Sequence, residues 1–101
     1  MKIVWSPRAR RRVRNVCNYI AHKFYPDCAR TLRADIVDTA VRASEMPGIG
    51  REAFPGHDCP DILKLLCSNR RVWVYYRIVN DTCEILSVRH ALQSTTSPCD
   101  L

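Results

Sequence analysis

Apolar positions along this chain change their period twice. Residues 2–5, "KIVW", are β-branched and aromatic, a run short enough for a strand. Ser6-Pro7 follows as a helix start: the serine hydroxyl can cap orphan amides, and proline at the first helical position has no amide to leave unpaired. From there Ala9, Val13, Val16, Ile20 and Phe24 recur at helical steps and predict one buried face. Tyr25-Pro26 interrupts the pattern, because a residue before proline avoids the helical region. A second helix is predicted from about Pro26 to Met46, with Ala29, Leu32, Ile36, Ala40 and Ala43 inward, ended by Pro47-Gly48 and Gly50. Two helices joined by so short a turn form an antiparallel hairpin. Neither buries its stripe on the other alone, so a sheet is expected beneath them.

The second half supplies that sheet. After a loop over residues 47–60, "DILKLLC" reads as a strand and "RRVWVYYRIV" as a longer one. Asn80-Asp81 predicts a hairpin turn into "TCEILSVRH". The last two strands are apolar on both faces over much of their length, as central strands would be. The expected fold is therefore α+β, in the order β-α-α-β-β-β: a helical hairpin packed on a small antiparallel sheet, with the first strand joining the edge of the meander. Residues 1–91 form one domain, and residues 92–101, "LQSTTSPCDL", lose all periodicity and read as a loose tail.

Composition narrows the function classes. In 101 residues, 47% are hydrophobic and 26% charged, which argues against wholesale disorder. The formal charge of +6 favours a polyanionic partner, acidic protein or nucleic acid, over a merely basic surface only weakly. With no run of 18 apolar residues and arginines where a signal peptide needs its apolar centre, the expectation is a cytoplasmic protein without a membrane span. There the six cysteines are expected as reduced thiols. His57 and Cys59 could offer two ligands, but no C-x-x-C pair accompanies them, and neither metal nor cofactor is expected.

The order of elements and several local words resemble the RelE/ParE superfamily, toxins of bacterial type II toxin–antitoxin pairs, across roughly residues 2–91. "VWSPRARRRVRNVCNYI" is similar to the ParE opening: an apolar strand, Ser-Pro-x-Ala, then a basic or polar helix ending in Tyr-Ile. "MPGIGRE" resembles the Pro-x-x-Gly loop after the second helix, and Tyr76-Arg77-Ile78 and His90 match features of the paired last strands. The resemblance implies one of two actions, messenger RNA cleavage in the ribosome by RelE-like members or poisoning of DNA gyrase by ParE-like members. Either is neutralised by an antitoxin whose C-terminal segment wraps the toxin.

RNA cleavage needs a group to activate the 2′-hydroxyl, cations for the charged phosphorane, and an acid for the leaving oxygen. Against the RelE-like pattern, Lys64 matches a strand lysine, but its usual partner position is Ile62, and Trp73 stands where an arginine belongs. Ala91, Leu92 and Gln93 stand where an arginine and a tyrosine might follow. A substitute cluster would be Lys64, Arg71, Arg77, Arg89 and His90, with Arg71, Trp73 and Arg77 on one strand face; otherwise these are strand-edge charges in water. Tyr75 and Tyr76 point to opposite faces, so at most one is buried on the helices. Trp73 shares Tyr75's face, which is expected as core or, if open, as an aromatic surface for bases or an antitoxin helix.

The first fourteen residues hold six lysines or arginines, and no acid precedes Asp27. Arg8, Arg11, Arg12 and Arg14 fall mostly away from the apolar stripe and are expected to meet a partner: antitoxin, nucleic acid or topoisomerase. The reading is a ParE-like toxin that inhibits DNA gyrase by binding and so stops replication, the kind of protein that serves plasmid stabilization. The alternatives are a ribosome-dependent endoribonuclease acting on mRNA, or an inactive relative that binds antitoxin or DNA as a regulatory module. Whether the chain is an enzyme stays open and leans to no; a homo-oligomer is also left open.

Overall fold

Two α-helices and five strands, with a short 3-10 turn at Pro47–Ile49, carry the described residues of a computed structural model, which are residues 1–91, Pro98 and Leu101. The helices and strands are β1 (Lys2–Trp5), α1 (Pro7–Lys23), α2 (Pro26–Glu45), β2 (Arg51–Glu52), β3 (Leu63–Leu66), β4 (Val72–Val79) and β5 (Thr82–His90). Ser6 caps α1 as expected: its hydroxyl oxygen accepts the Ala9 N–H at 3.0 Å. The same hydroxyl donates to the Leu86 carbonyl at 3.0 Å, while the Ser6 N–H donates to Ile85. Leu86 is the extra residue of a bulge, since Tyr75 faces Ser87 and Tyr76 faces Ile85. The start of α1 is thus pinned to the irregular point of β5.

Sheet order is β1-β5-β4-β3-β2. Both late strands are central, as their two-sided apolar character requires. Two details differ from expectation. The sheet is mixed, because β1 joins β5 in parallel, Lys2 facing Thr82 and Trp5 facing Ile85. That direction brings Ser6 beside the bulge it bonds. A fifth strand, β2, also pairs with β3, Arg51 facing Lys64. Two residues inside a Gly/Pro-rich loop show no alternation to read. The Asn80-Asp81 turn has φ of 50° and 58°, the paired positive values of a type I′ hairpin.

The main core lies between the helices and the sheet: Ala9 and Val13 from α1, Leu32, Ile36, Ala40 and Ala43 from α2, and Val72, Val74, Tyr76, Ile85 and Val88 from the strands. Full burial of each larger aliphatic side chain contributes roughly 1.5–3 kcal/mol, so this layer dominates stability. Phe24 leaves the predicted stripe at 53% exposure, because the chain is already turning at the helix cap. Tyr76 is the tyrosine buried on the helix side, and its hydroxyl donates to the Pro47 carbonyl at 2.8 Å.

A second, smaller cluster covers the opposite face: Ala53, Phe54, Ile62, Tyr75 and Leu101. Phe54 stacks on Tyr75 with centroids 5.9 Å apart. Most of the tail predicted to be loose lies outside the described residues, but Leu101 itself is only 6% exposed and belongs to this cluster. No helix among the described residues is long and apolar enough to cross a membrane.

Candidate functional site

Three arginines converge on the outer seam between the helices. Arg10 and Arg14, one turn apart on α1, and Arg33 on α2 rim a groove of about 450 Å³ floored by Trp5, Val13 and Val37. Val37 is 45% exposed although it is apolar and sits mid-helix, so this stripe of α2 faces outward unburied. Among the described residues none of the three arginines has a carboxylate within ion-pair distance; the two ion pairs present are Arg30–Asp27 and Arg77–Glu84. An apolar floor with a cationic rim suits an amphipathic acidic segment better than a small polar molecule.

The expected α1 arginines divide between surfaces. Arg14 belongs to the groove, whereas Arg8 and Arg11 are exposed on the flank that turns toward the end of β5. Arg12 is half-buried, and its guanidinium is pushed below its usual value first by burial, then by the charges of Arg89, Arg8 and Arg11. The electrostatics therefore tie these four cations together.

On the sheet face away from the helices, Trp73 is half-buried, with the Lys64 Nζ 4.5 Å and the Arg51 guanidinium 5.4 Å from its ring centroid. Arg89 faces Trp73 across the β4–β5 ladder. Tyr75 is 3% exposed beneath Phe54, which withholds its ring from a partner. Arg77 lies toward the other end of β4, bonded through Nε to Glu84 at 2.6 Å, a partner that raises its pKa through the hydrogen bond and the charge. His90 faces Val72, on the helix-side register, one step out of phase with Arg89. Arg71 is exposed before β4, its N–H held by the Asn69 side chain and its carbonyl accepting from Ala91. Lys64 and Arg89 are therefore gathered at Trp73, while Arg77 and His90 are directed elsewhere.

Sequence reasoning missed Trp5, Arg10, Arg33 and Val37 as one surface, and it missed Arg51. For the groove a signal existed: Arg10, Val13 and Arg14 stand at i, i+3 and i+4, two arginines flanking a core valine. Arg51 had none, since only the β2–β3 register places it near Trp73. Among the described residues no group of three His, Cys, Asp or Glu side chains is arranged to hold a metal.

Comparison with known proteins bears on the whole arrangement. No curated protein sequence matches the chain. Among solved structures, a chain of the "Chromosomal ParDE TA system from P. aeruginosa" superposes with a TM-score of 0.73 at 16% identity, covering 89% of this chain and 95% of its own. At that identity the likeness establishes the fold. The family described as "ParE toxin of type II toxin-antitoxin system, parDE" matches residues 3–94, nearly the whole chain, and the protein belongs to that family of ParE toxins.

Proposed function

We propose that this ParE toxin acts by binding DNA gyrase in the bacterial cytoplasm, holding the enzyme on cleaved DNA and stopping replication, and that an antitoxin neutralises it. Membership of the ParE family carries this reading. The geometry supports it over RNA cleavage, because of the expected cluster only Lys64 and Arg89 come together, at Trp73. Arg77 is engaged by Glu84, and His90 is out of phase with Arg89. Lys64 sits over an indole, with Ile62 buried at its partner position. The antitoxin is placed on the groove over Trp5, Val13 and Val37, its acidic side chains reaching Arg10, Arg14 and Arg33.

Supercoiling and DNA-cleavage assays with purified gyrase and antitoxin-free protein test the reading. Accumulation of linear DNA, suppressed by the antitoxin encoded beside the toxin, is the expected result. Unaltered gyrase at a clear molar excess of protein would overturn it for that gyrase. A programmed ribosome would then be the next substrate, and cleaved mRNA there would put the catalytic reading in its place.

A further inference from the structure

We infer that the chain also binds the phosphodiester backbone of duplex DNA directly, along a cationic band from the first turns of α1, past the end of β5 and over the half-buried Trp73 end of the sheet face away from the helices, to β2. The band begins with Arg8, Arg11 and Arg12. Their spacing of three and four residues sets like charges side by side on the helix. They occupy the positive end of the α1 dipole, where no acid lies in the first turn. Both placements work against the isolated helix, and an anion at the exposed Arg8 and Arg11 relieves them.

From there the band passes to the sheet. Arg89 lies within the field of Arg12, and across the ladder it faces Trp73. Trp73 in turn carries Lys64 and Arg51, which are register partners on β3 and β2. From β5 to β2 is three strand spacings, about 14 Å, and α1 extends the band further. Such a span meets several phosphates of a duplex, which carries one charge per about 1.7 Å of axis. Arg8, Arg11, Arg51 and Lys64 have no carboxylate within ion-pair distance among the described residues. The Arg77–Glu84 ion pair begins four residues along β4 from Trp73, about 13 Å away.

What distinguishes this band from the groove is its footing. Among the described residues the exposed large apolar side chains are Met1, Val4, Tyr19, Phe24, Tyr25, Val37, Val41, Met46, Ile49 and Val79, and none belongs to the band. An acidic peptide would lack apolar anchors here, whereas a phosphate backbone needs none. The Trp73 ring is already occupied by two cations, so it offers little face for an unstacked base, and the duplex is favoured over a single strand. The inference holds whether or not gyrase is the target.

Fluorescence anisotropy of a short labelled duplex of mixed sequence, titrated with the antitoxin-free full chain between about 50 and 200 mM salt, tests it. Affinity should fall linearly on logarithmic axes, and Arg11→Gln and Lys64→Gln should each flatten the slope by about one and weaken binding several-fold. Lys23→Gln, at the far end of α1, should change neither the slope nor the affinity by as much. Equal losses in all three variants would overturn the band in favour of diffuse basic attraction. So would absent binding at low salt, polyglutamate competing as well as duplex, or tighter binding of a single strand. Arg11 is exposed, so its variant keeps the test decisive even if Lys64→Gln perturbs the sheet, which thermal melts of each variant will reveal.

Discussion

Gly50 and Tyr76 form a lock that neither residue reveals alone. A Cβ on Gly50 would lie 2.1 Å from the Tyr76 hydroxyl oxygen and 2.8 Å from its ring carbon. The φ of Gly50 is −76°, so the glycine serves the close approach and not a left-handed turn. The fully buried ring cannot step aside, because it is embedded in the main core. Gly50→Ala should therefore push the hydroxyl off the Pro47 carbonyl and strain the loop into β2, destabilising the fold by about 2–3 kcal/mol. Tyr76→Phe removes the same hydrogen bond without overpacking and should lose only about 1 kcal/mol. Urea unfolding of both variants checks the ordering. If Tyr76→Phe proves as damaging as Gly50→Ala, the hydrogen bond outweighs the contact and the steric account is wrong.

Element boundaries follow from capping and from pairing, and the two differ in how far sequence shows them. Pro7, Pro26, the two helical stripes and the Asn80-Asp81 turn are local signals, and α1, α2, β4 and β5 stand where those signals put them. The parallel direction of β1 and the pairing of β2 depend on residues distant in the chain, so no local period encodes them. Ser6 joins both kinds of information. Its cap on Ala9 is readable from Ser-Pro, while its bond to Leu86, 80 residues away, exists only because a bulge frees that carbonyl from the ladder. Ser6→Ala should weaken the fold by about 1–2 kcal/mol through the lost cap and the stranded carbonyl. Ser6→Asp keeps an acceptor for the cap and places a negative charge at the helix start, but it has no proton for Leu86 when ionised. Thermal melts should rank wild type above Ser6→Asp and Ser6→Asp above Ser6→Ala. Equal losses for the two variants would locate the whole effect at Leu86.

At the scale of the molecule, the two layers on either side of the sheet explain why its candidate sites were only partly legible. The arginines of α1 were visible as an excess, but their division into groove and band is set by how α1 crosses the sheet and where β5 ends. Tyr75 was ambiguous for the same reason, since only the packing of Phe54 and Leu101 decides that its face is covered. This layered burial also fixes how stability responds to alkali. Cys17, Cys67 and Cys83 are pushed above the ordinary thiol value of 9.0, each mainly by burial, and Tyr76 is pushed above 10.0, again mainly by burial. Each of these groups is neutral when protonated, and each holds its proton more tightly folded than unfolded. Their contribution is therefore complete below the unfolded values and is lost as pH rises from about 9 through the folded ones. Unfolding free energy from urea titrations should accordingly show no loss from these groups near neutrality and a decline above about pH 9. Cys67→Ala removes one titrating thiol from the core; although it weakens the protein at every pH, its alkaline decline should be shallower than that of wild type. A decline of unchanged steepness in Cys67→Ala would mean that Cys67 is not among the groups that set the alkaline limit, leaving Cys17, Cys83 and Tyr76 to account for it.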